Sequence, residues 1–128
     1  MKEPKWLPRE AVLAMHARQL AEHGGSEGLR DEGMLESALQ RAQNKYAYDE
    51  PDMFDLAAAY AFGVARNHPF IDGNKRTALV ASRTFLLING YQITATREDR
   101  LRTFLALAAG HLSELELAAW FRKHAVPR

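Results

Sequence analysis

Ten residues, HPFIDGNKRT at positions 68 to 77, gather a histidine, a carboxylate, a glycine, an amide and two cations directly behind the alanine-rich run LAAAYAFGVA. Backbone N–H groups in the first turn of a helix lack internal partners and carry partial positive charge, so a helix entered at Gly73 and Asn74 favours a bound anion. Gly73 lets that backbone approach a ligand closely. Lys75 and Arg76 add two full charges where the helix dipole opposes them, and a phosphate would relieve that conflict. Asp72 would repel phosphate oxygens unless a divalent cation lay between them. Magnesium is commonly held by one carboxylate plus nucleotide phosphates, so Asp72 reads as a metal ligand. His68, at the other end of the loop, is suited to accept a proton from an attacking hydroxyl near neutral pH. Phe70 and Ile71 are expected to anchor the loop in the core. The set predicts phosphoryl or nucleotidyl transfer, in which positioning and charge neutralisation supply most of the catalysis.

Taken singly, each residue has an ordinary reading: a loop histidine, an N-cap carboxylate or amide, two solvated cations. Their joint spacing decides the matter. Five specified positions at about 5% usage each coincide by chance on the order of once in 10⁶ to 10⁷ windows.

The elements that must position this loop are mostly helices. A helix is predicted from about Pro8 to Glu22, ending at Gly24-Gly25. Asp31 is a candidate N-cap for a second, with Leu35, Ala38, Leu39 and Ala42 on one face. A loop carrying Tyr46, Tyr48 and Pro51 follows. Asp52, with Asp55 three residues on, opens a third helix that its composition would bury nearly all round, and Pro69 should end it near Asn67. Lys75 to about Asn89 reads as helix again, stopped by Gly90. Tyr91 to Ala95 could be extended and pair with the N-terminal residues. Thr96 caps a helix bearing Leu101, Phe104, Leu105 and Ala108, and Ser113 with Glu116 opens a last one bearing Leu117, Trp120 and Phe121. The expected fold is all-α, a bundle of about six helices with at most a short extended pair.

Bulk properties narrow the function classes. The chain has 128 residues, 47% of them hydrophobic, the size of one ordinary domain, and positions 1 to 128 are read as one unit. Seventeen Lys and Arg against sixteen Asp and Glu leave a net charge of +1, which offers no phosphate-tracking surface for direct nucleic-acid binding. With no cysteine, thiolate catalysis and disulfides are out. No apolar run approaches the roughly 18 residues of a membrane span, and MKEPKWLPRE has no apolar signal segment, so a cytoplasmic protein is expected.

The stretch HPFIDGNKR resembles the Fic/Doc signature, His-x-Phe-x-Asp/Glu-Gly/Ala-Asn-Gly/Lys-Arg, at every defined position. The chain length, the upstream GLRDEGMLESAL and the helix order are similar to the compact Doc (death-on-curing) branch. Fic enzymes that transfer AMP usually have glycine where this chain has Lys75 and a second arginine where it has Leu79. The resemblance therefore implies Doc-type chemistry: ATP bound in a reversed sense and its γ-phosphoryl passed to a threonine hydroxyl of elongation factor Tu. It makes His68 the general base, Asp72 the Mg²⁺ ligand, and Gly73, Asn74, Lys75 and Arg76 the phosphate-binding set. AMP transfer, or a helical interaction module without turnover, are the alternatives.

The same resemblance implies a toxin of a toxin–antitoxin module, held by an antitoxin whose segment folds on binding. The self-inhibitory motif Ser/Thr-x-x-x-Glu-Gly/Asn of some Fic proteins is broken here, since Gly28 stands four residues before Glu32-Gly33. By family analogy the loop Asn44 to Pro51 is a flap that docks the target, with Tyr46 and Tyr48 as contacts. Trp6, Trp120 and Phe121 are expected in the core. His16, His23, His111 and His124 lack metal-ligand spacing and are expected to be surface or structural.

Overall fold

In the computed structural model, which describes residues 2–128, the alanine-rich run is the axis of the bundle. The helices are α1 (Arg9–His23), α2 (Glu32–Tyr48), α3 (Met53–Asn67), α4 (Asn74–Ile88), α5 (Arg97–Ala108) and α6 (Glu114–His124), with β1 (Tyr91–Ile93) and β2 (Ala125–Pro127). An all-α architecture with one short extended pair results, as the periodicity predicts.

Small side chains give α3 its central place. Leu56 to Ala61 and Gly63 to Ala65 are all buried, and α2, α4 and α6 pack around them. Gly63 is the closest approach: a Cβ there would lie 3.0 Å from both the Cα and the carbonyl oxygen of Ala38 on α2. A glycine in a helix interior costs about 1 kcal/mol relative to alanine, so the sequence gives up propensity for contact. Phe85 and Leu86 of α4 and Leu117 and Phe121 of α6 complete the core.

All four predicted side-chain caps form. Asp31 accepts from the Met34 N–H and Thr96 from that of Asp99, while Asp52 with Asp55 and Ser113 with Glu116 close reciprocal capping boxes. Among the described residues no helix is long and apolar enough to cross a membrane.

Two expectations are corrected. The loop predicted from Asn44 is largely helix, because α2 runs on through Tyr48. Tertiary contacts hold that last turn: Tyr46 packs edge-on against Trp6 with centroids 5.6 Å apart, and Lys45 Nζ lies 3.5 Å from Glu114 at the start of α6. The extended segment also pairs elsewhere. Its partner is the C-terminal strand, antiparallel with Gln92 opposite Val126. The N-terminal residues instead pack on the helices: Asn89, just past α4, bonds both the N–H (2.8 Å) and the carbonyl (3.0 Å) of Lys5, and Leu7 N–H donates to the Tyr60 hydroxyl of α3 at 3.1 Å. Pro127 has no N–H to donate to a further strand, which suits a two-stranded edge.

Gly63→Ala is expected to destabilise the protein by roughly 1–3 kcal/mol, because the added methyl meets backbone rather than a movable side chain. Thermal melting checks this. An unchanged or raised midpoint would show that helix propensity outweighs the α2–α3 contact.

Candidate active site

Pro69 forbids α3 from continuing, and the chain escapes through a left-handed residue: His68 sits at φ 49° and ψ 56°, the one non-glycine residue with positive φ among those described. Such a conformation costs of order 1–3 kcal/mol and needs external support. Arg30 supplies it. Its Nε donates to the His68 carbonyl (2.6 Å) and its Nη2 to that of Asn67 (2.8 Å), so the side chain caps the carbonyl end of α3. The backbone N–H groups of Arg30 (2.7 Å) and Asp31 (3.1 Å) both donate to Pro69 O. Leu29 bridges Phe70 in antiparallel fashion, and Ile71 N–H donates to Gly28 O at 3.0 Å. The segment before α2 thus lies along the loop like an added strand.

On the other side Phe70 is buried, with His16 of α1 stacked on its ring at 3.7 Å. The His16 Nε2 lies 2.8 Å from Asp72 O; a carbonyl only accepts, so this nitrogen carries the proton. Asn74 closes the turn from within. Its Oδ1 accepts from the Phe70 N–H (3.0 Å) and its Nδ2 donates to the Phe70 carbonyl (2.9 Å). Gly73 follows at φ 80°, a conformation that favours glycine, so its place is fixed by the turn.

The tip of α4 is left open by this arrangement. Gly73 has no side chain with which to cap it, and its first turn holds no acidic residue. The first intrahelical bond is made by Thr77 N–H to Gly73 O (3.0 Å), leaving the N–H groups of Asn74, Lys75 and Arg76 without helical partners. Asp72 is exposed beside that tip, accepting from Gly73 N–H at 2.8 Å and from Ser26 N–H at 3.3 Å. These bonds leave lone pairs for a cation.

His68, Asp72, Gly73, Asn74, Lys75 and Arg76 all line one cavity of about 550 Å³, together with an apolar wall from α4 and α5. On that wall Leu101 is 45% and Leu105 55% exposed, so the predicted core face of α5 is divided. Phe104 and Leu107 are buried, and the two leucines front the cavity.

Three sequence readings change. Ile71 is 55% exposed and forms the rim instead of an anchor; Phe70 alone reaches the core. The Asn74 amide is tied to Phe70 through its Oδ1 and one Nδ2 hydrogen, so its side chain holds the turn in addition to any part it takes toward an anion. Tyr46 and Tyr48 are not brought to the loop. The Asn67 Nδ2 donates to Met34 O at 3.1 Å, which puts the start of α2 beside the loop, while both tyrosines lie at its far end. At ~1.5 Å per residue that end is roughly 20 Å away. The segment Gly25 to Asp31 occupies the position assigned to the flap.

Arg30 escaped the sequence reading, and His16 proves to be structural, as one of its two expected readings had it; their bonds span 38 and 56 residues, so no local pattern announces either contact. Among the described residues no group of three or more His, Cys, Asp or Glu side chains could hold a metal by itself. A cation at Asp72 would need oxygens from a ligand.

A model of the Fic/DOC family matches residues 6–86, and the chain belongs to that family. It is similar to Protein kinase doc of Escherichia phage P1, 36% identical over 115 residues, 89% of this chain and 90% of that protein. It is also similar to Toxin Doc of Mycolicibacterium smegmatis, 46% identical over 93 residues, 71% of this chain and 69% of the relative. Both likenesses fall on the Doc branch.

Asn74→Ala should cost about 1–3 kcal/mol by stranding both backbone groups of Phe70. Asn74→Asp should do no better, because a carboxylate cannot donate to the Phe70 carbonyl. Amide exchange at Phe70, read with the melting midpoint, tests both; protection equal to that of the unsubstituted chain would dismiss the staple.

Proposed function

We infer that this chain is a Doc-type protein kinase that moves the γ-phosphoryl group of ATP to a threonine hydroxyl of a translation factor of the elongation factor Tu type. The observation that carries this reading is the single cavity in which His68, Asp72 and the open tip of α4 face one another. The names of the relatives, a protein kinase and a toxin, point the same way.

Each residue then has a task. An imidazole of His68 accepts the proton as the target oxygen attacks the γ-phosphorus, and the bond to the leaving ADP breaks. The Asn74, Lys75 and Arg76 N–H groups and the two cationic side chains stabilise the charge on the transferred group. Magnesium, when bound, would offset phosphate charge between Asp72 and the nucleotide, and the free lone pairs of that carboxylate fit the role. Lys75 stands where the AMP-transferring relatives have glycine, and Leu79 where they have a second arginine. Both favour γ-phosphoryl over AMP transfer. Gly73 is explained by the turn it makes and carries no preference between the two.

A toxin of this kind works under an antitoxin whose segment folds as it binds. The exposed Ile71, Leu101 and Leu105 give that partner an apolar rim to cover beside the cavity.

Incubation with elongation factor Tu and ATP labelled separately at the α and γ positions tests the reaction. Label from γ alone is expected; label from α alone would establish AMP transfer instead, and failure to bind ATP and magnesium would leave a module without turnover. His68→Ala should slow transfer by roughly 10²- to 10⁴-fold with the fold intact. A turnover equal to that of the unsubstituted chain removes His68 from the mechanism. Lys75→Gly should move product toward AMP, measured by mass spectrometry; an exclusively phosphorylated product would end the account of Lys75 as the residue that sets nucleotide orientation.

A further inference from the structure

Behind the wall of the main cavity lies a second one of about 350 Å³, and the two share Arg76, Leu79 and Leu101. Four arginines line it: Arg76 and Arg83 from α4, Arg97 and Arg100 from α5. Among the described residues no carboxylate lies within ion-pair reach of any of the four. Arg100 is the only one of them with a bond to the protein, from Nη1 to Ala95 O at 2.7 Å. Glu22 is the one acid on the wall, and it already faces Arg18 at 3.2 Å and His23 at 3.8 Å. In the first turn of α5, Asp99 is turned away to Trp120 (3.3 Å) and His124 (3.4 Å), and Glu98 does not line the cavity.

This arrangement is unfavourable by itself. Burial, and then the charge of Arg100, hold the Arg83 guanidinium below its ordinary pKa. Arg97 opens α5, where the helix dipole repels a cation. Like charges converging on a concave space, without acids to offset them, are stabilised by a bound polyanion. The shape limits which one. Four forked donors around a small hollow fit a compact phosphate chain, whereas a nucleic-acid backbone needs an extended basic track, and the chain's net charge of +1 offers none.

We propose that the second cavity is a phosphate-binding subsite for pyrophosphate or the phosphate chain of a nucleotide, joined to the main cavity through Arg76. It stands whether or not the transfer chemistry does, since His68 and Asp72 take no part in it.

The test uses the full chain carrying His68→Ala, with and without Arg83→Met and Arg100→Met. Methionine keeps most of each apolar stem and removes the charge. Pyrophosphate titrated by calorimetry should bind roughly 10- to 100-fold more weakly once both guanidiniums are gone. Lys75→Gln, which alters only the main cavity, should leave that component of binding in place. In phosphate-free buffer the single Arg83→Met chain should melt no lower than its parent, because it has shed a desolvated guanidinium that has no bond to the protein among the described residues. Pyrophosphate affinity and stoichiometry equal to the parent's would overturn the proposal. So would a fall in melting midpoint with binding intact, which would make these arginines structural. The source of the phosphate is separated by ATP: a parallel loss of ATP affinity identifies a nucleotide chain, and unchanged ATP affinity identifies free pyrophosphate.

Discussion

One amide holds the end of α3 to the start of α4. Asn74 bonds both backbone groups of Phe70, so the turn between the two helices is closed by a side chain from inside it. Every other feature of the cavity depends on that closure. A conventional cap on α4 would have placed a Ser, Thr or Asp oxygen over the first-turn N–H groups, as happens at α2, α3, α5 and α6. Closing the turn from position 74 instead, with Gly73 at the cap, leaves those donors facing open space. The protein satisfies its own backbone one residue away from the place where a ligand must be satisfied.

An open helix tip is useful only if the groups around it cannot drift. His68 occupies a left-handed conformation that a free chain would leave, and the bonds from Arg30 to the carbonyls of residues 67 and 68 hold it there. His16 presses Phe70 from the opposite side while donating to the Asp72 carbonyl. The loop is therefore clamped between α1 and the segment ahead of α2, and its side chains project from a backbone with little freedom. Preorganisation of this kind is what phosphoryl transfer requires, because positioning carries most of the rate.

The sequence was most legible where chemistry and structure use neighbouring residues. Capping pairs such as Asp52 with Asp55, the stop at Pro69 and the polar loop itself all act over a few positions, and each is found where the pattern puts it. Contacts between distant segments were less visible. The extension of α2 through Tyr48 depends on Trp6 and Glu114, which no local window contains. The partner of β1 is set by where α6 ends. The clearest loss was the strand-like segment Gly25 to Asp31: Gly25 reads as part of a helix stop and Gly28 as the break in an inhibitory motif, although Gly25 lets the chain lie against Asp72, where a Cβ would come within 2.8 Å of the carboxylate. Ile71 misled for a related reason. Apolar residues are expected inside, yet this one stands at the rim of the main cavity, where the loop turns outward.

The position of Leu79 gains meaning from the two cavities. Arg76 and Arg83 lie two turns apart on α4, and position 79 falls between them on the same side. A third cation there would meet both arginines, of which Arg76 already stands in the first turn of α4, where the helix dipole disfavours a cation. Leucine removes that repulsion and joins Leu101, Phe104 and Leu105 in a continuous apolar surface. An apolar patch between charged ends suits a ring or an aliphatic stem, whereas phosphates are drawn to the guanidiniums on either side. An arginine at position 79 would join the two cavities into one basic lining, whereas leucine places an apolar partition between them.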